Sequence, residues 1–167
     1  MNDSYVECMV KRNTKPIMKF LSVFLIVLAV IIGGAGLFLF GNFVILIIGV
    51  AFGIGGYYLS KYTQVEFEYL YVDKQISVDK IFSQATRKTV AKYDVEKMEI
   101  LAPVFSYKLD EFKNRNVKVS DYSSGVEKQP DVRYAFYYDG KEKVIFEPNA
   151  EFVEAVKMVA PRKVFTN

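Results

Sequence analysis

The sequence predicts an α+β protein: an N-terminal transmembrane helical hairpin, then a small antiparallel β-barrel or sandwich with a C-terminal amphipathic helix. Three observations predict this fold class. Residues 20–60 form a run of 41 without Asp, Glu, Lys or Arg. Residues 61–167 hold 18 of the 22 basic and 17 of the 19 acidic side chains, and they alternate polar with apolar positions. Residues 149–160 in that region show helical spacing instead.

The uncharged run is long enough to cross a membrane twice. A helix rises about 1.5 Å per residue and the hydrocarbon core is about 30 Å thick, so one crossing takes about 20 residues. We place the crossings at residues 18–40 and 43–59, within a hairpin segment of residues 18–60, and the turn at the Gly41-Asn42 pair. Residues 1–17 then form a basic cytoplasmic arm. A cleaved signal peptide is the alternative, although signal h-regions span only about 7–15 residues.

The charges that flank the run orient the hairpin. Lys and Arg are retained on the cytoplasmic side of membranes, and here they flank both ends of the run but are absent from its turn. With two crossings, both termini and the domain of residues 61–167 are expected in the cytoplasm of a multi-pass cell-membrane protein. Aromatic rings near the end of the second crossing favour the headgroup level. The expected membrane-surface residues are Lys11, Arg12, Lys15, Lys19, Lys61, Tyr57, Tyr58 and Tyr62.

Eight of the ten glycines lie inside the uncharged run. In lipid, small residues allow helices to approach closely. Gly49, Gly53 and Gly56 share one face of the second crossing, and this face packs either against the first crossing or against a second copy in a homo-oligomer. No charged residue is present to line a pore or a proton relay, which argues against a transporter.

The basic arm has two interpretations. In one, Tyr5, Val6, Met9 and Val10 form the apolar side of an interfacial helix, and each cation gains about 1 kcal/mol near anionic headgroups. In the other, the charges only set the topology. Both make the bilayer, with its anionic inner leaflet, a partner. No nucleic-acid partner is expected, since the net charge of residues 61–167 is only +1.

Alternation after the hairpin predicts strands. The first covers residues 65–72 and turns at Asp73, and three more are expected near residues 76–79, 87–93 and 96–102. These four are expected to pair as an antiparallel meander.

The rest of the domain is predicted from caps and turns. Ser106 caps a short helix, an edge strand follows near residues 116–122, and residues 123–130 form a mobile loop. The Asp139-Gly140 pair joins a hairpin of alternating residues. Asn149 begins the last helix and Pro161 ends it, so that helix covers about residues 149–160.

Composition also excludes several kinds of chemistry. The chain has no His and a single cysteine, Cys8. A His-based triad, a His-ligated metal, a zinc knuckle and an intrachain disulfide are therefore excluded. We expect no enzyme activity and no catalytic, cofactor-binding or metal residues.

The order of elements resembles a bacterial pleckstrin-homology-like (PH-like) domain. The whole chain is similar to an uncharacterised family of small membrane proteins from clostridia-like Gram-positive bacteria, in which a basic arm and a two-helix anchor precede such a domain. The segments that carry this resemblance are residues 6–12, 67–69, 78–81, 121–125, 146–149 and 160–165. The basic first hairpin of lipid-binding eukaryotic relatives is missing, since Asp73 and Asp79 offset Lys74 and Lys80. Phosphoinositide recognition is therefore not implied.

Two functions agree with these features. One is a non-enzymatic membrane protein that presents a PH-like interaction module at the inner face, where it binds an unknown protein partner or the lipid surface. The other is an accessory or regulatory subunit that joins a larger membrane complex through the glycine face.

Overall fold

The structure is a computed structural model that describes residues 5–14, 16–39 and 41–166. The described residues divide into two compact units. The β-rich unit comprises residues 5–13, 66–81 and 86–166, and the helical unit comprises residues 14–65 together with 82–85.

The helical unit is a hairpin of two long apolar helices. Helix α1 spans Pro16–Phe38 and helix α2 spans Phe43–Tyr62. Both are long and apolar enough to cross a membrane, which suggests membrane association. At about 1.5 Å per residue, the 20 residues of α2 cover about 30 Å. Asn42 caps α2, because its side chain accepts a hydrogen bond from the Val44 amide at 2.9 Å. Phe40, at the predicted end of the first crossing, lies outside the described residues.

The first sheet has four strands in the order β1-β2-β3-β4. Their bounds are Val6–Lys11, Val65–Val72, Gln75–Phe82 and Thr86–Asp94. Two residues join β2 to β3, and three residues join β3 to β4. The φ angles are positive in both turns: +48° and +63° at Asp73 and Lys74, +49° and +56° at Ser83 and Gln84. Positive φ at both central residues gives a turn whose twist matches that of the flanking strands.

Strand β1 corrects the expectation for the N-terminal arm. Residues 6–11 form neither a free arm nor an interfacial helix but an edge strand antiparallel to β2, with Val6 opposite Tyr71 and Lys11 opposite Glu66. Pairing satisfies backbone groups that β2 would otherwise expose at a sheet edge. The apolar helices are therefore inserted between two paired strands.

The second sheet has the order β5-β7-β8-β6. Its strands are β5 (Met98–Pro103), β6 (Lys118–Asp121), β7 (Tyr134–Tyr138) and β8 (Glu142–Phe146). Strand β6 runs parallel to β8, and the other two pairs are antiparallel. The expected meander is therefore wrong at its fourth strand, since β5 pairs with β7. A 3-10 turn at Val95–Lys97, capped by Asp94, separates β5 from β4.

Two open sheets replace the closed barrel that was one of the expected architectures. Helix α3, Ala150–Val159, begins at its cap Asn149, whose side chain accepts a hydrogen bond from the Phe152 amide at 2.8 Å. Its buried face carries Phe152, Val153, Ala155 and Val156. Phe152 contacts the rings of Tyr69, Tyr71 and Phe146, and these side chains form the core of the domain.

Candidate functional site

The glycines of α2 pack against α1. A Cβ added at Gly49 would lie 2.7 Å from the Gly33 nitrogen, and one added at Gly56 would lie 2.8 Å from Cγ1 of Ile26. At Gly53 the nearest atom would be the Cβ of Ala29, at 3.5 Å. The Ser22 hydroxyl also donates a hydrogen bond to the Gly56 carbonyl at 3.1 Å. The glycine face is thus occupied inside the hairpin.

One of the aromatic residues at the end of α2 lies against a lysine. The Lys61 ammonium lies 4.8 Å from the centre of the Tyr57 ring, and Tyr58 packs edge-on against Tyr57. Tyr57, Tyr58 and Tyr62 are all more than half exposed. Lys19 is exposed on α1, and Lys15 lies outside the described residues.

Arg12 differs from the other residues expected at the membrane surface. Its guanidinium donates a hydrogen bond to the Asp121 carbonyl at 2.6 Å, and it also lies 3.5 Å from the Asp121 carboxylate. It stacks over the Phe67 ring at 5.6 Å. Arg12 is therefore engaged by the β-rich unit, whereas Lys11 on β1 is exposed.

Residues 123–130, which follow strand β6, were expected to form a mobile loop, but Ser123 and Ser124 are buried. The Asp121 carboxylate accepts hydrogen bonds from the amide and hydroxyl of Ser123, at 2.9 and 2.6 Å. The Ser124 hydroxyl donates to the Glu147 carboxylate at 2.7 Å, and the Ser124 carbonyl accepts from the Asn13 amide at 2.8 Å. We call Arg12, Asn13, Asp121, Ser123 and Ser124 the N-terminal clamp.

One contact of the N-terminal clamp could be predicted from the local sequence. Asp followed two residues later by Ser is typical of a turn in which the aspartate side chain binds the backbone. The contacts with Arg12 and Asn13 could not be predicted in this way, because these two residues lie more than 100 positions earlier in the chain. Cys8 lies beside the clamp, where its thiol donates weakly to the Glu147 carbonyl at 3.7 Å. Burial raises the pKa of the Cys8 thiol, so the reactive thiolate is disfavoured.

A row of charged side chains crosses the first sheet, with one from each strand: Glu7, Glu68, Asp79 and Arg87. Glu68 is 1% exposed, and Arg87 donates to one of its oxygens at 2.8 Å. The other oxygen of Glu68 and one oxygen of Asp79 have no hydrogen-bond partner among the described residues.

Burial raises the pKa of Glu68, the neighbouring carboxyl groups of Glu7 and Asp79 raise it further, and Arg87 opposes them. A raised pKa stabilises the fold fully below the ordinary value of 4.5, and this contribution is lost as the pH rises through the raised value. We therefore expect the unfolding free energy of the wild type to decrease as the pH rises above 4.5. In Glu68→Gln this decrease should be absent. Chemical unfolding of both proteins across this range measures the slopes.

Asp131 and Asp139 provide the contrast for that pH series. Their pKa values are lowered by hydrogen bonds from Arg133 and Lys141, so their contributions are lost as the pH falls below about 3.8. The two pH ranges do not overlap. Equal slopes above pH 4.5 in wild type and Glu68→Gln would contradict the role given to Glu68.

A cleft of about 410 Å³ lies at the C-terminal end of α3 in the β-rich unit. The Glu96 carboxylate lies 3.2 Å from the Lys74 ammonium, and the Lys163 ammonium donates to the Glu96 carbonyl at 2.7 Å. Three basic side chains and one acidic side chain face an apolar strip. The lining residues are Lys74, Val95, Glu96, Val159, Ala160, Pro161, Arg162 and Lys163.

The cleft combines apolar with charged side chains. Its lining residues include no Ser, Thr or Cys. Across the described residues, no group of three or more Cys, Asp or Glu side chains is arranged to hold a metal ion. Val159 is 42% exposed beside the exposed Arg162, so apolar and cationic contacts are offered together.

Comparison with known families gives one match. Residues 2–166 match the family model described as bacterial PH-like domain (DUF6106). The match covers both the helices and the two sheets. No curated protein and no solved structure matches the chain.

Proposed function

Because the chain belongs to the bacterial PH-like domain family, we propose that it is a non-enzymatic interaction module tethered in the cell membrane. In this proposal the hairpin crosses the bilayer, both termini lie in the cytoplasm, and the PH-like domain binds a protein partner at the inner face.

The pairing of β1 with β2 carries the proposal. Strand β1 precedes the apolar helices and β2 follows them, yet their residues pair from Val6–Tyr71 to Lys11–Glu66. Two segments can pair only on the same side of a membrane, so the number of crossings between them is even. The flanking charges support the cytoplasmic side, since Lys19 and Lys61 lie near the ends of the two helices that are far from the Gly41-Asn42 turn, and the turn itself is uncharged.

The cleft at the end of α3 is the surface we assign to the partner. Its excess of cations and its exposed Val159 favour a protein segment that combines acidic with apolar side chains. The alternative of an accessory subunit needs the glycine face of α2 for a second helix. That face already packs against α1, so no observation favours the alternative.

Photo-crosslinking from position 162 tests the module. Removal of residues 1–63 would also remove β1, so the soluble version should keep residues 5–13 and replace residues 14–63 by a short Gly-Ser loop. A module keeps the same crosslinked partner in both forms. A crosslinker at Glu154, which is exposed on α3 but does not line the cleft, is the matched control.

Two results would contradict the proposal. One is loss of the partner from the soluble version while its circular dichroism shows a folded domain, which would favour the accessory subunit. The other is labelling of Glu154→Cys by a membrane-impermeant maleimide in intact cells carrying Cys8→Ser, which would place the domain outside.

A further inference from the structure

The turn between β3 and β4 lies in the helical unit, at the end of α2. The Ser83 amide donates to the Gln64 carbonyl at 2.8 Å, and the Ser83 hydroxyl donates to the Lys61 carbonyl at 3.1 Å. The rings of Tyr62 and Phe82 meet edge-on, 5.7 Å apart. These three contacts fix the turn to the last residues of the helix.

The end of α2 is the part of the helix that suits lipid headgroups. Its uncharged part from Phe43 to Ser60 is 18 residues long, or about 27 Å, close to the thickness of a hydrocarbon core. Lys61 and Tyr62 follow this part directly, and Tyr57 and Tyr58 lie among its last four residues. A turn bound to the Lys61 carbonyl is therefore at headgroup level when α2 crosses the bilayer.

Positive charge follows the turn at once. Between Phe82 and Tyr93 the chain has Arg87, Lys88 and Lys92 and no acidic residue. Arg87 is paired with Glu68, whereas Lys88 is exposed and makes no ion pair with the described residues. Strands rise about 3.3 Å per residue, so Lys88 lies within about 10 Å of Ala85 along the chain. That is about one Debye length at physiological salt.

We infer that residues 83–88, which we call the headgroup turn, bind the anionic phospholipid surface of the inner leaflet through Lys88. The inference rests on the proposed membrane crossing and adds a lipid contact by the β domain itself. An anionic surface attracts a nearby lysine by about 1 kcal/mol. An acidic segment of a protein is the other chemistry that the same charges attract, and the contacts with Lys61 and Tyr62 favour the lipid.

The test uses the full chain in lipid nanodiscs with a spin label at Gln84→Cys in a Cys8→Ser background. A nickel-chelating headgroup lipid relaxes the label when it lies at the membrane surface. We expect relaxation in phosphatidylcholine discs, and more of it after phosphatidylglycerol is added. In Lys88→Gln, the increase in relaxation that phosphatidylglycerol causes should be about fivefold smaller. This factor corresponds to the loss of one juxtamembrane cation.

Lys92→Gln is the matched control. Lys92 is also an exposed lysine on β4, on the same side as Lys88 by strand alternation, but it lies up to about 23 Å from Ala85. The Lys92→Gln variant should keep the full increase in relaxation that phosphatidylglycerol causes. Thermal unfolding should show that both variants are folded.

Three results would overturn the inference: no relaxation at position 84, equal relaxation in both lipids, or equal effects of the two lysine variants. Equal relaxation in both lipids, together with crosslinks from position 88 to an acidic protein in cells, would assign the turn to that protein. The crosslinking at position 162 tests the interaction module by a different measurement. The lipid contact of the headgroup turn can therefore be disproved without disproving the module.

Discussion

Replacing Tyr69 with alanine is expected to lower the unfolding free energy of the domain by about 3–5 kcal/mol. The side chain is fully buried, and its ring packs edge-on against Phe146 and Phe152 with centroids 5.4 and 6.4 Å away. Its hydroxyl donates to the Tyr122 carbonyl at 2.6 Å. Chemical unfolding of the full chain in detergent, followed by near-ultraviolet circular dichroism, measures the loss.

Two further variants separate the contribution of the hydroxyl from that of the ring and provide a control. Tyr69→Phe keeps the ring but leaves the Tyr122 carbonyl without this donor, so we expect a loss of about 1–3 kcal/mol. Tyr107→Ala is the control, because Tyr107 is 69% exposed and its removal should change stability by less than about 0.5 kcal/mol. If Tyr69→Ala were no more costly than Tyr107→Ala, the core described for the two sheets and α3 would be wrong.

Replacing Gly49 with alanine is expected to separate the two apolar helices, at a cost of about 1–3 kcal/mol. The new Cβ would lie 2.7 and 2.8 Å from the nitrogen and Cα of Gly33, and 3.0 Å from the Ala29 carbonyl oxygen. These are backbone atoms, so no side-chain rotation relieves the clash.

Gly55→Ala is the matched control, with the opposite sign. No atom lies within 4 Å of a Cβ added there, and alanine favours helix over glycine by up to about 1 kcal/mol. Disulfide formation between Ala29→Cys and Gly53→Cys reports the packing, because a Cβ at position 53 lies 3.5 Å from that of Ala29. With Cys8→Ser as background, Gly49→Ala should slow this disulfide and Gly55→Ala should not. Equal rates would contradict the packing.

The elements with strong local patterns were predictable from the sequence. The uncharged run, Asn42 as a break, and the cap at Asn149 give helices close to those observed. The predicted α+β class and the resemblance to a PH-like family are confirmed. The expectation that the chain is not an enzyme stays a prediction.

The elements that depend on distant partners were not predictable. Val6, Cys8 and Val10 alternate over only six residues, and the partner strand β2 begins more than 50 positions later. Nothing local indicates that β5 leaves the first sheet, since tertiary context decides which strands pair. Glu68 was missed as a buried residue because glutamate is almost never fully buried unless paired, and its partner Arg87 comes from another strand.

The insertion of the helices between β1 and β2 also sets an order for biosynthesis. Strand β1 leaves the ribosome first, but its partner emerges only after both apolar helices have been made. If the helices insert in the bilayer as proposed, their delivery to the membrane precedes completion of the first sheet. In a nascent chain that fails to insert, the apolar helices would stay exposed to water and β1 and β2 would stay unpaired. These exposed segments give cellular proteases a means to recognise mistargeted copies.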